Sequence, residues 1–250
     1  MLRLFSSIRQ NLVNEGKTSR YVRYAVGEVL LIMVGILLAL QVQTWNQNRM
    51  LEQERRELIK NLESDFQANL LSVKEGLLQA EQEIQIIKRF MVSIMTEGSS
   101  ITEEDWFSFH EALISSLRYR PLLASYHAAV SGGSMNLLKD LSLHELLLEY
   151  VEKNHQFQTY VRLAYENYFL GEVPFLRHTV GSLPSIAPYL EVPKQKHFEL
   201  SLSERKTWFK QKEIYACYEN YLISKMGRQS ELSRLHALNE QILTALEELN

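Results

Sequence analysis

Between Tyr24 and Leu40 every side chain is apolar or small apart from Glu28, and from Val29 to Leu40 none is polar. Tyr24 to Trp45 is 21 residue steps, about 31 Å at a helical rise of about 1.5 Å per residue, which matches a bilayer hydrocarbon core of about 30 Å. Tyr21, Arg23 and Tyr24 precede the run and Trp45 follows it, and amphipathic rings and basic groups favour the two headgroup levels. A buried helix of a soluble protein has no need of such flanks. A cleavable secretory signal ends in a pair of small residues, whereas this run ends Ile36-Leu37-Leu38-Ala39-Leu40-Gln41. Residues 24–43 therefore read as an uncleaved transmembrane helix whose partner is the lipid bilayer.

Charge on either side of the run sets an expected orientation. Residues 1–23 carry Arg3, Arg9, Lys17, Arg20 and Arg23 against Glu15, a net of +4, while Thr44 to Asn250 hold 22 Lys and Arg against 28 Asp and Glu, a net of −6. Within 15 residues of the span there are four Lys and Arg on the N-terminal side and three on the C-terminal side. That bias predicts a cytoplasmic N-terminus and a periplasmic C-terminal domain of an inner (plasma) membrane protein. The whole chain, at −3, lacks the basic footprint of a nucleic-acid binder. Its one cysteine, Cys217, excludes an intramolecular disulfide framework and a multi-cysteine zinc site.

Beyond the span the pattern stays helical. From Ile59, positions 59, 63, 66, 70, 73, 77, 80, 84, 87, 91 and 94 alternate steps of four and three, and all but Glu63 are apolar, which is coiled-coil or bundle periodicity. Leu62, Leu71, Leu78 and Ile86 widen the stripe toward a bundle. Gly98-Ser99-Ser100 ends this stalk helix over 44–97. Thr102-Glu103-Glu104-Asp105 opens the next with a capping-box pattern, Pro121 breaks the chain, and a shorter helix stops at Gly132-Gly133. Ser142 is placed to cap a further helix bearing Leu146, Leu147, Tyr150, Phe157, Val161 and Tyr168. Residues 171–200 hold Pro174, Pro184, Pro188 and Pro193 and read as a loop. Ser201-Leu202-Ser203-Glu204 starts a last helix over 201–250 whose one weak point is Gly227. The expected fold is all-α: a basic cytoplasmic tail (1–23), the span, the stalk, a helical head (102–170) farthest from the membrane, and a C-terminal helix packing back antiparallel on the stalk.

Within the span, Glu28, Gly35 and Ala39 fall within about 20° of one another at 100° per residue. Small residues let helices approach closely, and an ionisable group inside a span marks an interface or a path, so this face is a candidate seam of a homo-oligomer. The competing reading has Glu28 stretch to the headgroups or pair with Arg23 or Lys17. Elsewhere no catalytic, cofactor or metal constellation emerges. The seven histidines form no HExxH or HxxxH pair, Cys217 among tyrosines reads as a small core residue, and Ser131-Gly132-Gly133-Ser134 lacks a phosphate loop's lysine and reads as a helix C-cap with a turn. Tyr119, Tyr126, Tyr150, Tyr160, Tyr165, Tyr168 and Phe169 read as head core or as the lining of a ligand cleft.

Two stretches carry a family likeness. Glu15-Gly16-Lys17-Thr18 with Tyr21, Tyr24-Ala25, Gly27-Glu28, Gly35-Ile36-Leu37, Ala39-Leu40-Gln41 and Trp45-Asn46 resembles the N-terminal signature of an uncharacterised family of single-pass membrane proteins of Gram-negative bacteria. Ser125-Tyr126-His127-Ala128, Ser131-Gly132 and Leu137-Leu138 resemble that family's second motif, with Gly132-Gly133 where the family has a single Ser-Gly. The resemblance implies an anchor and a head, with Tyr126, Ser131, Gly132 and Gly133 as head-motif residues; it implies no activity, because the family is a domain of unknown function. The functional expectation is a non-enzymatic, membrane-anchored interaction or scaffold module, homo-oligomeric and engaging another membrane or periplasmic protein. The alternative is a small-ligand-binding sensor or transporter accessory subunit using the aromatic head, and an enzyme of unrecognised type is the third class.

Overall fold

The computed structural model describes residues 18–115, 119–166 and 201–249. Regular structure among them is entirely helical: α1 Thr18–Met95, α2 Glu103–Ile114, α3 Ala124–Gly132, a 3-10 turn Ser134–Leu137, α4 Leu141–Glu166, α5 Leu202–Phe209 and α6 Lys212–Glu248. The tail through Lys17, together with Leu117, Tyr168, Phe169 and the loop 171–200, lies outside the described residues. Two units divide the chain within α1, residues 1–57 and 58–250. In the first, every large apolar side chain from Val29 to Val42 is more than half exposed, and none of the most apolar 18-residue window is buried. By length and composition this part of α1 is a candidate membrane span.

The second unit is built around the stripe of α1. Ile59, Phe66, Val73, Ala80, Ile84, Ile87, Met91 and Ile94 are buried, with Leu70 and Leu77 partly so. The stripe is narrower than its flanking leucines suggest. Leu62 is buried and Ile86 half-buried, but Leu71 and Leu78 are 66% and 67% exposed. Each sits about 100° round the helix from the Leu70 or Leu77 before it, past the edge of the packed arc.

Contacts along α1 give the topology. α2 runs antiparallel to it, from Trp106 and Phe109 against Phe90 to Ser115 beside Glu83. The chain continues down α1, where Asn69 holds Leu122 and Asp65 holds Ser125. After α3 reverses it, α4 climbs back with Tyr150 against Phe66. α6 descends, pairing Lys225 with Glu83, Gln229 with Glu81 and Asn239 with Phe66 and Leu70. The C-terminal helix is thus antiparallel to α1. Gly227 marks where α4 approaches it: a Cβ there would lie 2.5 Å from the Tyr160 hydroxyl, so a larger residue would displace the Tyr160 side chain.

Two apolar clusters result. The lower joins Leu58 to Ala80 of α1 with Tyr119, Tyr126 and Ala129, with Leu138, Leu143, Leu147, Tyr150 and Phe157, and with Leu232 to Leu246 of α6. The upper joins Ile87 to Ile94 with α2 and with Phe209, Ile214, Tyr218 and Tyr221. The helices described within residues 102–170 contribute to both clusters. α2 belongs to the upper cluster while α3 and α4 lie along the lower, because α4's stripe of Leu143, Leu147, Tyr150 and Phe157 is buried against α1 and α6.

Both capping boxes form, Thr102 with Asp105 and Ser201 with Glu204. The cap of α4 lies two residues before Ser142: Asp140 accepts from the Leu143 amide (3.0 Å) and from the Ser142 hydroxyl (2.6 Å). Gly133 takes the left-handed conformation that ends α3 (φ 75°). The expected single helix over 201–250 is broken at Lys210–Gln211. The break brings Phe209 and Tyr218 into a stack at 4.6 Å.

Candidate functional site

The stripe of α6 runs through positions 214, 218, 221, 225, 228, 232, 235, 239, 242 and 246, again in steps of four and three. Three of these core-facing positions are polar: Lys225, Arg228 and Asn239. Lys225 and Arg228 fall between the clusters, where α1 passes from Ala80 to Ile87 and α6 from Tyr221 to Leu232. A polar layer is therefore written into the inner face of α6.

Lys225 is 2% exposed and Glu83 is 6% exposed. The ammonium has three protons and three acceptors: Glu83 Oε2 at 2.6 Å, Ser115 O at 2.9 Å and Ser115 Oγ at 3.1 Å. The Glu83 carboxylate also accepts from the Ser115 hydroxyl and from Gln79 Nε2 (2.8 Å). Ser115 is the C-cap of α2, so Lys225 places its charge where that helix exposes its carbonyl end. Burial pushes the Lys225 ammonium down to about 8, against the hydrogen bond and charge of Glu83, which pull it up. Burial likewise lowers Arg228, with Glu83 and Tyr160 opposing. Its Nε is shielded from solvent and has no hydrogen-bond partner.

A second polar group lies deeper in the lower cluster. The Tyr119 and Tyr150 hydroxyls share a hydrogen bond (2.5 Å), and burial pushes both phenols up, Tyr119 to about 12. Asn239, fully buried, turns its carboxamide so that Nδ2 donates to Phe66 O (2.9 Å) and Oδ1 accepts from the Leu70 amide (3.1 Å). These groups tie α1, α4 and α6 together. With both phenols held neutral and hydrogen-bonded, their chemistry is that of packing.

The residues singled out from sequence are distributed as follows. Glu28 is half-buried, while Arg23, Gly35, Ala39 and Trp45 are exposed on α1; the side chains of Tyr21 and Tyr24 lie outside the described residues. Nothing lies within 4 Å of a Cβ built on Gly35. Tyr126 is buried in the lower cluster, but Ser131, Gly132 and Gly133 face solvent. His127 and Tyr165 are exposed, on α3 and near the end of α4 respectively; the His127 ring meets that of Tyr126 edge-on, with centroids 5.4 Å apart. Among the described residues no group of three or more His, Cys, Asp or Glu side chains could hold a metal ion. Sequence reading missed Glu83, Ser115, Lys225 and Arg228; the four-three spacing of α6 is the signal that finds the last two.

The fold and its polar layer define an all-helical bundle protein with one candidate membrane span. The chain belongs to a family of unknown function (DUF6090), whose model matches residues 28–173. α5 and α6, which carry Lys225 and Arg228, lie beyond the matched residues. No curated protein and no solved structure matches the chain.

Proposed function

We propose that this protein is a single-pass inner-membrane protein with its N-terminus in the cytoplasm and its helical bundle in the periplasm, acting as an interaction or scaffold module. The observation that carries the reading is the apolar stretch of α1 from Val29 to Val42, which no described residue covers. An exposed run of fourteen positions, apolar or small apart from Gln41, is untenable in water, and a bilayer is the solvent it suits. The basic residues before it favour retention of that end in the cytoplasm. The packed aromatic interior of the second unit favours a binding surface over a cleft, since Tyr119, Tyr126 and Tyr150 are buried core. Assembly as a homo-oligomer through Glu28, Gly35 and Ala39 belongs to the same reading, because small residues there would let two spans approach.

The test is a pair of reporters fused after Asn250 in a Gram-negative host. An alkaline phosphatase fusion should be active and a green fluorescent protein fusion dark, as periplasmic placement requires. The opposite pattern overturns the orientation, and recovery of both fusions in the soluble fraction overturns the anchor. Crosslinking of the same membranes should give bands above the monomer.

A further inference from the structure

Arg228 occupies a half-buried stripe position of α6, one step along the stripe from Lys225 and one before Leu232. The charges around it do not balance. α1 supplies one carboxylate, Glu83, whose oxygens are already engaged by Lys225, Ser115 and Gln79. α6 supplies two cations, Lys225 and Arg228; α4 supplies the neutral Tyr160; the end of α2 supplies Ser115. Among the described residues one positive charge is left over. Among the described residues no carboxylate pairs with the Arg228 guanidinium, and its Nε is shielded and unbonded. An unpaired N–H shielded from water on a half-buried charged group is costly, and a hydrophobic residue would continue the stripe at no such cost.

We infer that Arg228 and Tyr160 form a binding site for a small oxyanion, a carboxylate or phosphate group, in the seam between α4 and α6. A guanidinium presents paired N–H donors along its Nε edge in a fork that matches two oxygens of such a group. The Tyr160 hydroxyl, held against the bare Cα of Gly227, is the neighbouring donor. The Tyr160 ring is 39% exposed, so the site opens to solvent at that side chain and its displacement bares the Nε edge. Lys225, saturated by three acceptors, adds positive potential without competing for the ligand. The inference stands apart from the membrane reading, since every group in it lies within the second unit.

The test uses the full-length chain in a non-ionic detergent at pH 7.5 and constant ionic strength. Inorganic phosphate and sodium acetate are titrated separately, with chloride as control, and melting is followed by far-ultraviolet circular dichroism. Phosphate or acetate should raise the melting temperature saturably where chloride does not, and the stronger of the two names the oxyanion class. Arg228→Gln should weaken the effect about ten-fold or more through loss of the charged fork, Arg228→Lys and Tyr160→Phe by less. Arg228→Met should melt higher than the parent without added anion, since it removes an uncompensated charge, and should not respond to either anion. A response equal to that of chloride, or one that persists in Arg228→Gln, overturns the site. So does an Arg228→Met variant that melts below its parent, because the guanidinium would then already have its partner within the chain.

Discussion

His110 shows what burial does to a single titratable side chain in this bundle. It is enclosed in the upper cluster, its ring stacked on Trp106 (centroids 5.7 Å apart) and its Nδ1 on the Trp106 carbonyl at 2.8 Å. A carbonyl only accepts, so Nδ1 carries a proton and donates. Burial lowers its pKa from 6.5; the Trp106 carbonyl pulls it back up and the nearby Arg205 pushes it further down. The folded state therefore takes up its proton at lower pH than the unfolded chain, so stability is full above pH 6.5 and is lost as the pH falls below it. The carboxylates whose pKa values are lowered, Asp105, Asp140 and Glu204 among them, add their losses only nearer pH 4 to about 3. Between pH 6.5 and about 5 the melting temperature should fall, and His110→Gln should flatten that slope. Melting curves across this range decide it: equal slopes for parent and variant would place the sensitive proton elsewhere.

At the scale of elements, what could be read from the sequence was what is local. The stripe of α1 and both capping boxes are patterns of three or four residues, so each appears in a short window of sequence. The descent of residues 119–125 along α1 does not, because its fasteners are 53 and 60 positions away in the chain. Asn69, 2% exposed, receives the Leu122 amide on Oδ1 (2.6 Å) and donates Nδ2 to the Leu122 carbonyl (2.9 Å). Asp65 accepts from the Ser125 amide (3.0 Å), capping α3, whose own N-cap, Leu123, has no side-chain hydrogen bond to offer. In sequence both are ordinary polar neighbours of stripe residues. The polar layer was hidden for the same reason, since Glu83 and Lys225 are 142 residues apart. The break at Lys210–Gln211 carries neither proline nor glycine to announce it. The geometry ranks two substitutions. Asn69→Ala leaves the part-buried Leu122 N–H and C=O without their partner and should cost about 1–3 kcal/mol, while Asp65→Ala removes one cap and should cost about 1 kcal/mol. Urea unfolding gives both values, and a larger loss for Asp65→Ala would show that α3, not the preceding segment, holds this region on α1.

Across the bundle as a whole, α1 and α6 pass through both clusters, and the Glu83–Lys225–Ser115 layer lies between them. Sliding α6 by one turn against α1 would keep most apolar contacts apolar, since both stripes repeat every seven residues. It would also separate the ammonium from all three of its acceptors. The layer therefore fixes the antiparallel register more than it adds stability, as buried ionic groups do where they select among similar packings. This separates two mutational outcomes. Glu83→Ala leaves Lys225 buried without its carboxylate and should cost about 3–5 kcal/mol. Replacing both partners by apolar residues of similar size, Glu83→Leu with Lys225→Met, removes the desolvation penalty together with the attraction and should recover at least about half of that loss. Because the two long helices belong to both clusters, unfolding in urea should remain one transition in each variant. The register argument adds that the double variant should exchange its α6 amides faster than its stability alone implies, since shifted packings become accessible. A double variant as unstable as Glu83→Ala would make the pair a net source of stability, and amide exchange that simply follows stability would remove its role in setting register.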